Sequence, residues 1–212
     1  MSAITQIFLD LSTTFLAFGI GLIVFKRLKR FYRILFFQVL IYLFVDVAAT
    51  VFVPVNNGWL YNVLIVIEAG FLLFAAQAYF NTQRSKKVLI LLFGVFLSVF
   101  FADVFIFTGI VKFAHHAAIT EGIILTGVYL FLLYEQLKQK IDRSSKAMII
   151  ASTGIALYFA GTIPYLGIMF YLRELDAALS KELFNNIVIV LALVRYLLVA
   201  IAFFIVAIKQ KK

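Results

Sequence analysis

Cysteine is missing from all 212 residues, so the chain forms no disulfide and offers no thiolate to a metal. Charge is scarce as well: 14% of residues are Asp, Glu, Lys or Arg, against about 25% in a soluble domain. Proline occurs twice and tryptophan once. A P-loop, a GxSxG elbow, an HExxH pair and a dinucleotide fingerprint are all absent from the sequence, which leaves no recognisable signal for an enzyme. What fills the chain is apolar: 65% hydrophobic residues and a mean hydropathy of +1.08. Such a chain lacks the polar surface to cover itself in water, and its solvent is a bilayer.

A spanning helix needs about 20 residues, so this length accommodates roughly seven spans with short connectors and no soluble domain beside them. The apolar runs predict an all-α integral membrane protein, a seven-transmembrane-helix bundle forming one domain over residues 1–212. Its spans fall at about 4–25, 34–53, 60–80, 88–108, 118–137, 147–170 and 186–208. The connector over 171–185 is long enough for a short surface helix, and Pro164 after Gly161 marks a bend in the sixth span that serves packing.

The net charge of +9 acquires meaning only by position. Most of the cations fall in four clusters: Lys26 to Arg33; Arg84, Lys86 and Lys87; Lys138 to Lys146; and Lys209 to Lys212. The alternate connectors hold only Lys112, Arg173 and Lys181. By the positive-inside rule the rich segments are cytoplasmic, which places the N-terminus outside and the C-terminus in the cytoplasm. The basic residues then meet lipid headgroups, and nucleic acid is not expected as a partner. The first cation is Lys26 and Asp10 interrupts the leading apolar stretch, so the first span is expected to be retained as no cleavable signal, in a multi-pass protein of the cell membrane.

Ionisable groups at bilayer depth carry the functional signal, because Asp or Arg at a span centre costs about 2.5–3.5 kcal/mol to insert. Counted from the cytoplasmic ends, Asp46, Glu68, Asp103, Glu121 and Arg195 stand roughly 12–16 residues in, about 18–24 Å along a core about 30 Å thick. Asp10 shares that band. The expectation is a polar, acidic pocket opening outward above an apolar floor. Gln38, Tyr42, Asp46 and Thr50 recur every fourth residue as a polar stripe, and Tyr158, Thr162 and Tyr165 form a facing candidate wall. Arg195 is expected to pair with Glu68 or Glu121. His115 and His116 offer ligand atoms beside Asp103 or Glu121. Adjacent histidines lack the i, i+4 spacing of a helical zinc pair, however, so neither metal nor cofactor is expected.

An internal echo links Phe44-Val45-Asp46-Val47 to Phe101-Ala102-Asp103-Val104, each followed across a turn by Glu68 or Glu121, as in a pseudo-repeat of helical hairpins. The topology is similar to that of microbial rhodopsins, G-protein-coupled receptors and PQ-loop carriers. The last span, however, has Arg195 where a retinal-bearing lysine would stand, and neither proline is followed by glutamine. No functional residue is carried over from these families. The reading placed first is a receptor-like sensor of a small ligand, a cation or protons that signals to a separate cytoplasmic protein. The alternatives are a proton- or cation-coupled transporter or channel, including a pore formed by a homo-oligomer, and a subunit of a membrane protein complex.

Overall fold

The apolar runs fold as helices. A computed structural model describes residues 11–51, 57–80, 82–138 and 143–208. Among the described residues eight α-helices follow one another: α1 Ser12–Val24, α2 Arg30–Val51, α3 Gly58–Tyr79, α4 Gln83–Ala102, α5 His115–Lys138, α6 Arg143–Leu175, α7 Ala177–Leu183 and α8 Val190–Ile208. A 3-10 turn, Phe25–Arg27, follows α1, and π turns occupy Asp103–Thr108 and Phe184–Ile189. Among the described residues six helical segments are long and apolar enough to cross a bilayer: Arg30–Ala49, Gly58–Tyr79, Gln83–Thr108, His115–Lys138, Ser145–Met169 and Asn186–Ile208. The protein is therefore a helical, multi-pass membrane protein in contact with lipid.

The expected first span enters the structure only through α1, which has 13 residues; its beginning, Asp10 included, lies outside the described residues. So do the turn at 54–56, Lys140, the cluster at 209–212 and the side chain of Thr50. Several helices outrun their apolar cores. α2 starts at Arg30 rather than at 34, and α6 runs from Arg143 to Leu175 rather than from 147 to 170. Hydrogen bonding continues a helix past the last lipid-buried residue, and long basic side chains at its end reach the interface along their own stems. α6 also continues through Pro164, which has no N–H to offer the carbonyl of Ala160. The long connector before the last span contains a short helix, α7. His115 and His116, expected within a connector, form the first turn of α5.

The chain divides into two compact units, 1–28 with 126–212, and 29–125. In the first unit α1 and α6 both pack on α8. Small side chains make this approach close: α1 buries Thr14, Ala17 and Gly21, and α6 buries Ala147 and Ala151. A Cβ at Gly154 would stand 3.0 Å from Cβ of Leu198 and 3.2 Å from the Arg195 carbonyl. Between helices in lipid no solvent is expelled from apolar surface, so such backbone proximity supplies the packing. In the second unit α2 packs on α3, and α3 on α4. Ile65 and Ala69 of α3, Phe96 and Val104 of the α4 segment, and Ala114 and Ala117 around the start of α5 form one buried cluster.

Candidate functional site

Three carboxyl groups of the second unit each have their own partner. Near the middle of α2 and α3, Gln38 Nε2 donates to Glu68 Oε1 at 2.9 Å, with both residues buried. Asp46, half-buried on the same face of α2 as Gln38, accepts from the Tyr61 hydroxyl at 2.8 Å. Asp103, 1% exposed, receives the Ala117 N–H on Oδ2 at 2.9 Å and has His116 Nδ1 3.2 Å from Oδ1. Gln38 and Asp46 of the α2 stripe thus face α3, as polar residues in lipid must face another helix. Tyr42 of this stripe is half-buried.

The Asp103 arrangement begins in the backbone. α4 ends in the wide turn Asp103–Thr108, where the Thr108 hydroxyl lies 2.8 Å from the Asp103 carbonyl and also against Oδ1 of its carboxylate. Gly109, at φ +80°, reverses the chain in a region where a side chain would strain it. The connector is then held by Asn62 of α3, which is buried. Its Nδ2 donates to the carbonyls of Ile110 at 3.2 Å and Lys112 at 2.8 Å, and its Oδ1 accepts from Ala114 N at 2.8 Å. Gly58 lies so close to this connector that an added Cβ would be 2.5 Å from the Val111 carbonyl oxygen. Chain reversal and clamp together bring the first turn of α5 onto Asp103: Asp103, His115 and His116 offer ligand-type atoms all within 4.8 Å of one another. His115 is buried with Asp103, whereas His116 has 54% of its side chain exposed.

Glu121 is buried one to two turns further along α5. In the first unit, Arg195 of α8 is 1% exposed, and its guanidinium carbon lies over three rings: Tyr158 at 4.8 Å, Tyr196 at 5.1 Å and Phe159 at 5.2 Å. Thr162, also buried, donates its hydroxyl to the Phe159 carbonyl at 3.1 Å, and the Tyr165 hydroxyl donates to the Ser180 carbonyl at 3.3 Å, tying α6 to α7. Arg195, Tyr158 and Thr162 therefore belong to one unit, and Gln38, Tyr42, Asp46, Glu68, Asp103 and Glu121 to the other.

The polar signals of the sequence did not single out Tyr61, Asn62, Thr108 or the Ala117 amide. An asparagine in the first turns of an apolar span is a visible signal, since its amide must find partners at that depth. Nothing in the spacing of Thr108 or Ala117 points to Asp103. No family model, curated protein or solved structure matches the chain.

Proposed function

We propose that the protein is a membrane sensor in which the carboxyl groups of the second unit respond to a small cationic ligand, a cation or protons, and a separate cytoplasmic protein receives the response. The observation that carries this reading is the buried Gln38–Glu68 contact at 2.9 Å between two apolar spans. The Gln38 amide donates to Glu68 and holds its carboxyl group in place, and in a low-dielectric setting a positive charge brought near a carboxylate interacts with it far more strongly than in water. α2 and α3 pack on each other, which offers a route by which a change at their middle reaches the helix ends. The basic ends at Lys26 to Arg33 and Arg84 to Lys87 are suited to an acidic partner surface. The apolar stretches beneath the acids favour sensing over a continuous conduction path.

Purified protein reconstituted in liposomes tests this. Thermal unfolding is followed with Na+, K+, Ca2+ and choline, beside flux of the same ions and of protons. The expected outcome is stabilisation by one of them, about 2.7 kcal/mol at a hundredfold excess over Kd, abolished in Glu68→Gln and unaccompanied by flux. Flux that Glu68→Gln or Asp46→Asn removes would establish a transporter or channel instead. A stoichiometric membrane partner, with neither flux nor stabilisation, would establish a complex subunit.

A further inference from the structure

We infer that Asp103, His115 and His116 form a binding site for a divalent transition-metal ion of the zinc class, at the junction of α4 and α5. The atoms already stand at ligand spacing. Two ligands on a tetrahedral ion, each about 2.0–2.1 Å from it, are about 3.3 Å apart, and His116 Nδ1 and Asp103 Oδ1 are 3.2 Å apart. A histidine–aspartate hydrogen bond would account for that pair alone. The second imidazole has its ring centroid 3.7 Å from the first and brings another nitrogen into a sphere in which all three groups lie within 4.8 Å.

The donors are held before any ion arrives. Asp103 Oδ2 is anchored by the Ala117 N–H at 2.9 Å, while Oδ1, which also accepts from the Thr108 hydroxyl, lies 3.2 Å from His116 Nδ1. The Thr108 hydroxyl holds the same carboxylate from the turn. Both histidines sit in the first turn of α5, whose approach is fixed by the three hydrogen bonds of Asn62 to the connector. These are the outer contacts that orient ligands in metal sites, and beneath them lies the apolar cluster of Val104, Ala114 and Ala117. Ordering the ligands therefore adds little entropic cost to binding.

Donor chemistry sets the class of ion. Calcium and magnesium take shells of oxygen, whereas two imidazole nitrogens with one carboxylate oxygen suit zinc and its neighbours. Three protein ligands leave a tetrahedral ion one further position, and the half-exposed His116 leaves a way in. The site stands independently of the sensor reading, whose test turns on Glu68 and on other cations.

Full-length protein, freed of any affinity tag and stripped with chelator in detergent, is titrated calorimetrically with Zn2+ and spectroscopically with Co2+. The expected result is one Zn2+ per chain, the visible absorption of tetrahedral Co2+, and no binding of Mg2+. His116→Ala is expected to weaken Zn2+ by about a hundredfold or more, and Thr108→Val, which loosens Asp103, by about 10–100-fold. These are the only two histidines in the chain, so saturable binding in the wild type with unchanged affinity in His116→Ala overturns the proposal, as does the lack of saturable binding in the wild type. His116 is exposed, and its replacement is expected to fold. If it does not, His116→Gln takes its place, and the wild-type stoichiometry and Co2+ spectrum decide independently.

Discussion

A guanidinium keeps its proton in any protein environment, so Arg195 carries a full charge into an apolar span where insertion alone costs about 2.5–3.5 kcal/mol. Within its own unit the faces of Tyr158, Phe159 and Tyr196 lie 4.8–5.2 Å from the guanidinium carbon, and their negative quadrupoles offset part of that cost. A planar, weakly hydrated cation can lie against three rings at once. A lysine ammonium, compact and strongly hydrated, cannot. Arg195→Lys is accordingly expected to lower stability by about 1–2 kcal/mol, read as a fall in the thermal midpoint in detergent, although the charge is conserved. A midpoint equal to that of the wild type would show that charge alone matters at this position. Its place within an apolar span could be read from the sequence; its aromatic surroundings could not, because Tyr158 and Phe159 are more than 30 residues away in the chain and nothing in their spacing refers to α8. The same holds for Asp103. That it is a buried acid follows from its run of apolar neighbours, whereas its dependence on Thr108, His116 and the Ala117 amide follows from the wide turn at the end of α4.

At the scale of elements, glycine separates close packing from open surface. A Cβ at Gly58 would meet the backbone of the α4–α5 connector, at 2.5 Å from the Val111 carbonyl oxygen and 3.0 Å from Phe113 N. Backbone cannot rotate away as a side-chain tip can, so Gly58→Ala must displace the connector that Asn62 clamps. The expected cost is about 1–3 kcal/mol, with faster amide exchange over 110–114. At Gly94, inside α4, nothing lies within 4 Å of the added carbon. Gly94→Ala should raise stability by about 0.5–1 kcal/mol through helix propensity alone. Measuring both variants by thermal unfolding checks the two environments against each other; equal effects would contradict the contact at Gly58. The helix count outside the first span was legible in the apolar runs, but helix ends were not. Arg30, Arg143 and His115 begin helices because backbone hydrogen bonding extends past the apolar stretch, and polar residues there cost nothing at the interface. By moving His115 and His116 from a connector into the first turn of α5, that extension set both imidazoles beside Asp103.

For the whole molecule, charge gives the expected orientation. Cations concentrate at alternate connectors, so the segments around Lys86 and Lys146 are expected in the cytoplasm and Lys112 on the far side. The lack of native cysteine makes this simple to test. Single variants Lys86→Cys, Lys146→Cys and Lys112→Cys are treated with a membrane-impermeant thiol reagent in intact cells. Only Lys112→Cys is expected to react before permeabilisation, and labelling of the other two in intact cells would reverse the orientation. By itself the sequence identified a lipid-dissolved helical protein and the apolar spans in which Asp46, Glu68, Asp103 and Glu121 lie, since both rest on composition and on the length a helix needs to cross hydrocarbon. Partnership was decided elsewhere. Gln38 meets Glu68, Tyr61 meets Asp46, and His116 meets Asp103 with His115 close by, because helix rotation, a π turn and a single asparagine clamp set which side chains face one another. Those are properties of packed backbones, and the order of residues along one span does not encode the angle at which the next span presents its own.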